Sequence, residues 1–192
     1  MKIGLLGGTF DPIHTGHLII ANWIREDLDL EKVIFIPAGN PPHKLNCKVT
    51  DVKDRLEMVK LAINDNPRFE ISDIEIKDEK ISYTVNTLRE FSKTGNEIYY
   101  IVGEDSLKEL PKWKNPEEIL KLSYIVTVRR PNVSKYKIKF RNSKKIIFFD
   151  SLEISISSTQ IRERVKEGKS IKYLVHPAVE KYIKEKGLYK IK

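Results

Sequence analysis

Apolar runs alternate with amphipathic segments along almost the whole chain, and this alternation most constrains the fold. "KIGLLGG", "KVIFIPAG", "EIYYIVGED", "YIVTVRR" and "KIIFFD" each contain a continuous apolar run, as is typical of strands that are covered on both faces. Segments with apolar residues at helical spacing lie between them. The alternation predicts an α/β fold, a Rossmann-like doubly wound parallel sheet with helices on both faces and C-terminal helices.

Several further segments complete the predicted order of elements. Residues 17–30 and 51–64 each place apolar side chains on one helical stripe, and "PEEILKL" is a short helix with proline in its first turn. "FEISDIEIK" alternates like a strand. "SYTVNTLREFSKTG" predicts a helix with a hydroxyl cap at Ser82 or Thr84 and an end before Gly95. "SSTQIRERVKEG" and "HPAVEKYIKEKG" predict two final helices, each closed by glycine.

The composition is that of an ordinary globular chain. The sequence has 192 residues, of which 40% are hydrophobic and 32% charged, and we expect one domain spanning residues 1–192. No apolar run approaches the length of a membrane span, and the first residues do not resemble a secretory signal. The one cysteine, Cys47, cannot form an internal disulfide, which predicts a cytoplasmic protein.

The net charge of +8 raises the question of a nucleic-acid partner. The densest basic stretch, "KYKIKFRNSKK" (135–145), alternates charged and apolar residues, so it is equally typical of an edge strand protected by lysines. A positive field also steers a phosphate-rich small substrate toward its site. No helix-turn-helix, zinc-finger or RNA-recognition pattern accompanies the charge, so we expect neither a nucleic-acid nor a membrane partner.

The turn after the first predicted strand, "GGTFDPIHTGH" (7–17), is richer than a simple connection requires. It lies at the carboxyl end of a strand, where open parallel sheets bind ligands. Gly7 and Gly8 permit backbone conformations closed to other residues and a close approach of a ligand. A helix that starts near Gly16 directs its free amide groups to the same place. These features predict an anion site built from backbone.

Two histidines add side-chain donors to this turn. His14 and His17 are three residues apart, so one helical turn brings both rings to the same side, and Gly16 leaves the space between them open. Two imidazoles that face a phosphate stabilise the charge that develops when the phosphate is displaced. The sequence lacks a Walker loop, a G-x-G-x-x-G fingerprint and a nucleophile elbow. No third ligand for a metal site with the two histidines is evident, and we predict no protein-built metal site.

A second candidate anion site lies in "ISSTQIR" (156–162). Its serine and threonine residues start a helix with free amides and hydroxyl groups, and Arg162 follows one turn later. A helix start beside a fork-shaped cation suits a polyphosphate. By itself this pattern is more typical of a capped amphipathic helix with a solvated arginine than of a binding site.

Together "GGTFDPIHTGH" and "ISSTQIR" resemble the two signatures of the nucleotidyltransferase superfamily, whose H-x-G-H core class I aminoacyl-tRNA synthetases share. The synthetases' K-M-S-K-S loop is missing. The chain is most similar to the bacterial nicotinate-nucleotide adenylyltransferase family, and the likeness spans nearly its whole length. The resemblance implies that ATP and nicotinate mononucleotide form deamido-NAD and pyrophosphate, with Mg²⁺ entering with ATP.

The resemblance also implies roles for individual residues. His14 and His17 would act on the α-phosphate as the catalytic pair. ATP would be bound by Gly8, Thr9, Phe10, Gly16, Gly103, Asp105, Ser158, Thr159 and Arg162. The acceptor would be bound by Lys44 of "PAGNPPHK", Thr84 of "SYTVNTL" and Trp113 of "LPKWKNPEEIL", whose ring would stack on the pyridine. The family often has aspartate at the position of Asn86, so no role is implied there.

Two alternatives stay open at the level of sequence. The same chemistry serves other acceptors, such as nicotinamide mononucleotide, phosphopantetheine or a sugar phosphate. A non-catalytic nucleotide-binding module that uses the basic surface is the alternative from a different class. The sequence also leaves open whether the chain forms a homo-oligomer.

Overall fold

The computed structural model describes residues 1–39, 49–77, 83–129, 143–150 and 154–190 of the chain. Lys44 and Cys47 lie outside the described residues, as does all of the basic stretch 135–145 except its last three residues. The expectations attached to them therefore stay predictions.

Within the described residues, six strands form one sheet in which every neighbouring pair is parallel. In chain order they are β1 (Lys2–Gly8), β2 (Lys32–Pro37), β3 (Phe69–Ile71), β4 (Glu97–Gly103), β5 (Tyr124–Arg129) and β6 (Ile146–Asp150). Their order across the sheet is β3-β2-β1-β4-β5-β6. The predicted parallel Rossmann-like sheet is confirmed. The strand order reverses between β1 and β4, and ligands of such sheets bind beyond the carboxyl ends of the strands at that reversal.

The helices of the described residues connect these strands and follow the last one. They are α1 (Thr15–Asp27), α2 (Val52–Ile63), α3 (Ile74–Lys77), α4 (Thr84–Ser92), α5 (Glu104–Glu109), α6 (Pro116–Leu122), α7 (Ser158–Lys166) and α8 (Pro177–Lys186). Capping residues in the sequence explain where several of these helices begin or end. Asp51 accepts a bond from the Lys53 amide before α2, Ser157 accepts one from the Gln160 amide before α7, and Gly187 ends α8 at φ 62°.

The two faces of the sheet are covered by separate apolar layers. Leu6 of β1 points into the layer formed with α1, α2, α7 and α8, whereas its neighbour Leu5 points into the layer formed with α4, α5 and α6. Burial on both faces explains why the strands lack polar alternation and have continuous apolar runs. The sheet is therefore a rigid base for the loops at its carboxyl edge.

The alternation of "FEISDIEIK" (69–77) predicts one strand, but the structure shows a short strand followed by a helix. β3 ends at Ile71, and α3 starts after two turn-forming residues. The Ser72 hydroxyl accepts a bond from the Ile74 amide, and the Asp73 carbonyl accepts the first backbone bonds of α3. Because these local bonds compete with the strand ladder, the chain turns away from the sheet edge.

One smaller prediction about the following elements is wrong in part, and one helix is missing from the predicted order. The hydroxyl cap predicted at Thr84 is absent, because Thr84 is the first residue of α4, Tyr83 is its N-cap, and the Thr84 hydroxyl lies 3.5 Å from that of Tyr100 in β4. Ser82, the other predicted cap, lies outside the described residues. The short helix α5, directly after β4, was not predicted at all.

No helix among the described residues combines the length and the apolar character that crossing a membrane would require.

The glycines at the end of β1 are needed for space and not for backbone conformation. Neither Gly7 nor Gly8 has a positive φ, contrary to the expectation from sequence; the positive φ of this turn, 49°, belongs to Phe10. A Cβ atom at Gly7 would lie 2.6 Å from the hydroxyl oxygen of Tyr100, and one at Gly8 would lie 2.8 Å from the Phe10 ring. Larger residues here would displace two side chains that line the carboxyl edge of the sheet.

This packing predicts a compensating pair of substitutions. Gly7→Ala should lower the free energy of unfolding by about 1–3 kcal/mol, the usual cost of overpacking, and Tyr100→Phe in the same chain should restore most of it by removing the clashing oxygen. Urea denaturation of the single and double variants measures the coupling. Gly103→Ala is the matched control, since a Cβ there meets nothing within 4 Å. If Gly7→Ala lowers the free energy of unfolding equally in the natural chain and in a chain that carries Tyr100→Phe, this account is contradicted.

Candidate active site

The two histidines of the first turn are held together at the start of α1. His14 is the N-cap residue of α1, and its backbone amide donates a hydrogen bond of 3.2 Å to Nδ1 of His17. The two rings stack with their centroids 3.6 Å apart and their planes 22° apart. The predicted placement of both rings on one side is confirmed.

Burial keeps both imidazoles neutral. It lowers the pKa of His14 to about 4, and it lowers the pKa of His17 well below the ordinary value, with the neighbouring His14 adding to the effect. Because Nδ1 of His17 accepts the amide hydrogen bond, the proton of the neutral ring is on Nε2. His17 therefore presents an Nε2–H donor without a full positive charge.

Gly16 lies where the first turn meets the chain just before α7. A Cβ atom at Gly16 would lie 3.1 Å from Nδ1 of His14 and 3.2 Å from the Cγ2 atom of Ile154. The ring of His17 also packs edge-on against the ring of Phe10, with the two centroids 5.1 Å apart. The histidine pair is thus packed between Phe10 and the segment that leads into the second motif.

The second motif binds directly to the first turn. The Ser158 hydroxyl donates a 2.8 Å hydrogen bond to the carbonyl of Pro12, and the Arg162 guanidinium donates a 2.7 Å bond to the carbonyl of Asp11. Arg162 also donates to the Thr159 hydroxyl at 3.1 Å. The two helix starts that the sequence suggested as anion sites therefore lie side by side.

Asp11 is buried inside this turn, with only 5% of the residue exposed. The Tyr189 hydroxyl donates to its Oδ1 at 2.7 Å, and the Thr50 amide donates to its Oδ2 at 3.3 Å. Burial raises the pKa of Tyr189, and Asp11 raises it further. The residues after α8 are in this way tied to the turn that carries the histidines.

Two predicted ATP-binding residues lie at the carboxyl end of β4. Gly103 is the last residue of β4 and the N-cap of α5, and Asp105 lies in the first turn of α5. Both are exposed, and the Asp105 carboxylate pairs with Lys108 at 3.4 Å. They lie at the end of the strand next to β1, across the reversal of strand order.

The described acceptor-side residues surround Tyr100. The Thr84 hydroxyl lies 3.5 Å from the Tyr100 hydroxyl, and the half-buried Trp113 ring meets the Tyr100 ring edge-on with centroids 6.3 Å apart. Burial, with a contribution from Glu75, raises the pKa of Tyr100 to about 12. Because Tyr100 also borders Gly7, this group adjoins the first turn.

Three residues of this region were missed by reasoning from the sequence: Asp11, Arg55 and Tyr100. Asp11 lies inside the quoted first motif, but nothing in the sequence shows which groups its carboxylate accepts bonds from. Arg55 had a detectable signal, since it lies three and four residues before Met58 and Val59, and all three are buried on one face of α2. Tyr100 is indistinguishable in sequence from its neighbour Tyr99, which faces the opposite apolar layer.

Within the described ranges, no group of three or more histidine, cysteine, aspartate or glutamate side chains is arranged to hold a metal ion.

The fold and the paired helix starts correspond to a known class of nucleotide-transferring proteins. A model of the cytidylyltransferase-like family matches residues 5–164. The structure is also similar over 98% of the chain to a Plasmodium falciparum nicotinic acid mononucleotide adenylyltransferase complexed with NaAD, over 97% of that chain, with a TM-score of 0.79 and 20% identity. At that identity the structural likeness shows the fold.

Relatives of higher identity narrow the class. A Caldicellulosiruptor saccharolyticus protein named "Probable nicotinate-nucleotide adenylyltransferase" is 48% identical, with 99% of this chain and 100% of the relative aligned. A Clostridium botulinum protein of the same name is 45% identical over 97% of this chain and 98% of the relative. The chain therefore belongs to the cytidylyltransferase-like family and, within it, to the nicotinate-nucleotide adenylyltransferases. The predicted nucleotidyltransferase of NAD biosynthesis is confirmed at the level of the family.

The buried histidines predict how stability depends on pH. Their pKa values are lowered in the folded chain, so the unfolded chain takes up protons first as the pH falls below about 6.5. The free energy of unfolding should then decrease between pH 6.5 and pH 4, by a contribution from His14 on the order of 3 kcal/mol at pH 4.

Thermal or urea unfolding at a series of pH values measures this slope. The control is the double variant H14N/H17N, in which asparagine keeps a good N-cap but does not titrate. The control should show a flatter dependence on pH than the natural chain. Identical slopes for the two proteins would show that the histidines are not buried as neutral rings.

Proposed function

We propose that the chain transfers the AMP moiety of ATP to nicotinate mononucleotide and so forms deamido-NAD and pyrophosphate. The observation that carries the proposal is the direct contact of the two anion-binding motifs, in which Ser158 and Arg162 of the α7 motif donate to the carbonyls of Pro12 and Asp11. Two helix starts and a pair of imidazoles at one place suit a triphosphate. The relatives that share this fold at 45–48% identity carry the same activity in their names.

The chemistry requires alignment and charge stabilisation. A phosphate oxygen of nicotinate mononucleotide attacks the α-phosphorus of ATP, a new P–O bond forms, and the bond to the leaving pyrophosphate breaks. The attacking phosphate is already ionised, so no strong base is needed. The contribution of the protein is to hold the two substrates in line and to stabilise the charge on the oxygens of the transferred phosphate.

The histidines are the proposed catalytic residues. His17 would donate from Nε2 to an oxygen of the α-phosphate, and His14 would support it through the stacked ring and donate to the same group. Their low pKa values mean that they act as neutral, fixed donors rather than as acids. Donors that are already oriented before the reaction stabilise the transition state most effectively.

The remaining ATP contacts divide between backbone and side chains. We assign backbone contacts in the first turn to Gly8, Thr9, Phe10 and Gly16, and contacts with the β- and γ-phosphates to Ser158, Thr159 and Arg162. The hydroxyl of Ser158 is bound to Pro12, so its free amide at the start of α7 is the donor for phosphate. Arg162 has five N–H groups, and its bonds to Asp11 and Thr159 leave others for ATP. Gly103 and Asp105 would bind the adenosine.

The acceptor would bind beside the first turn, over Tyr100. Trp113 would stack on the pyridine ring, and Thr84 would contact its carboxylate through the amide at the start of α4 or the hydroxyl. Lys44 is assigned to the acceptor phosphate from the family resemblance alone. The positive end of the dipole of α4, at Thr84, would favour an acid over a neutral amide on the pyridine ring.

Mg²⁺ belongs to the substrate in this proposal. We expect it to enter as the complex with ATP and to neutralise charge on the leaving pyrophosphate. A reducing cytoplasm is the compartment that we propose, because the one cysteine forms no internal disulfide.

A product assay tests the function. Purified protein with MgATP and nicotinate mononucleotide should release pyrophosphate and form deamido-NAD, and His17→Ala should lower turnover by roughly 100-fold or more, the cost of removing one oriented donor. Parallel reactions with nicotinamide mononucleotide, phosphopantetheine and a sugar phosphate measure acceptor choice. A faster reaction with any of these would refute the proposed acceptor, and normal turnover of the variant would refute the role of His17.

Replacing Trp113 tests the acceptor side separately. Trp113→Ala should raise the KM for nicotinate mononucleotide by roughly 10-fold or more, in the range expected for a lost aromatic stacking contact, with little change in the KM for ATP. Trp113→Phe keeps a smaller ring, so its KM for nicotinate mononucleotide should lie between those of the natural chain and Trp113→Ala. Steady-state kinetics with each substrate varied in turn gives both constants. Equal losses for ATP and the acceptor would contradict stacking on the pyridine.

A further inference from the structure

Arg55 is a buried cation that the proposed chemistry does not use. It lies in α2, is only 2% exposed, and directs its guanidinium at backbone carbonyls. The bonds run to the carbonyls of Thr9 at 2.7 Å, Ala38 at 2.8 Å, Thr50 at 3.0 Å and Gly39 at 3.4 Å. One side chain therefore satisfies carbonyl groups in three separate parts of the chain.

These carbonyls belong to segments that meet at the carboxyl edge of the sheet. Thr9 lies in the first turn, Ala38 and Gly39 follow β2 directly, and Thr50 lies just before the start of α2. A backbone bond of 2.9 Å from the Ala38 amide to the Gly8 carbonyl joins the first two segments independently of the side chain. Arg55 thus holds the first turn against both the sheet and the start of α2, in addition to the bond from the Thr50 amide to the Asp11 carboxylate.

The cost of burying this charge argues for a role beyond packing. Burial lowers the pKa of Arg55, and the negative charges of Asp11 and Asp51 offset part of that effect. An apolar residue would continue the buried face formed by Met58 and Val59 without this cost, but it would leave the carbonyl groups that Arg55 binds without a donor. What an apolar residue cannot do is fix three loops in one geometry through a planar fork of donors.

We propose that Arg55 is a positioning residue for the adenylyl transfer, which holds the histidine-bearing first turn in register with the sheet. This inference rests on the proposed function. The acceptor-side residues Thr84 and Trp113 are grouped around Tyr100 of the sheet, whereas the histidines belong to the turn that Arg55 holds. A shift of the turn relative to the sheet would misalign the two substrates while leaving each binding surface largely intact.

The kinetic test compares Arg55→Lys with Val59→Ala. Lysine keeps the charge but lacks the planar fork, and Val59→Ala leaves a cavity one turn along the same buried face of α2 without removing a donor. Both variants are assayed well below their melting temperatures with MgATP and nicotinate mononucleotide. Arg55→Lys should lower kcat by roughly 10- to 100-fold, the effect of a misplacement of about 1 Å. The KM for the acceptor should change by less than about 3-fold, the pattern of an interaction needed only in the transition state.

Amide hydrogen exchange supplies a readout that does not depend on activity. The Ala38 amide, which is bound to the Gly8 carbonyl, should exchange faster in the Arg55 variant than in Val59→Ala, whereas amides of β4 should exchange alike in the two. If Arg55→Lys does not fold, Arg55→Gln takes its place, since it keeps two donors and brings no buried charge.

The outcomes separate this inference from the proposed function. A natural chain that forms no dinucleotide refutes the function, whereas an active natural chain with a kcat of the Arg55 variant close to that of Val59→Ala refutes the positioning role. Unchanged exchange at Ala38 also refutes it. A selective loss of kcat together with faster exchange at Ala38 supports it.

Discussion

The contact between the start of α7 and the first turn is the interaction on which the site depends. Ser158 and Arg162 donate to carbonyls of Pro12 and Asp11, groups nearly 150 residues earlier in the chain. Each bond satisfies a backbone carbonyl of the first turn that would otherwise need water. The second motif therefore stabilises the backbone of the first. The N-terminal ends of α1 and α7 then lie beside each other, although the amides of His14, Thr15 and His17 at the start of α1 already donate to acceptors within the protein.

Neutral histidines are a consequence of the same packing. The ring of His17 is fixed by the His14 amide on one edge, by the stacked ring of His14 on one face and by the Phe10 ring beside it. A charged imidazole in this position would lose its hydration without gaining a carboxylate partner, so burial lowers the pKa of both rings. The positive character of the site comes instead from helix ends and from Arg162. In the proposed reaction, neutral donors held in this way would stabilise the charge that develops on the transferred phosphate.

The sequence was sufficient for the sheet, most of the helices and the two motifs, because each depends on short-range patterns: apolar runs, capping residues and closely spaced glycine and histidine. It was insufficient wherever an outcome depends on a contact distant in the chain. Gly7 and Gly8 were expected to adopt special backbone conformations, but they are small because Tyr100 and Phe10 occupy the space. "IEIK" alternates like a strand, yet local bonds of Ser72 and Asp73 turn it into a helix. The extent of the domain and the roles of the site residues stay predictions.

Asp11 and Arg55 show why the polar interior of this edge escapes sequence patterns. Asp11 is surrounded by donors from Tyr189 and Thr50, whereas Arg55 is surrounded by acceptors, all of them carbonyls. Their charges stabilise each other without either side chain serving the other as its main hydrogen-bond partner. Each side chain instead bonds to loop backbone. Loops lack the regular backbone hydrogen bonds of strands and helices, so they depend on such side chains for a fixed geometry. The proposed function requires loops that hold substrates in a fixed position, and here two buried charges order loops that have no regular secondary structure.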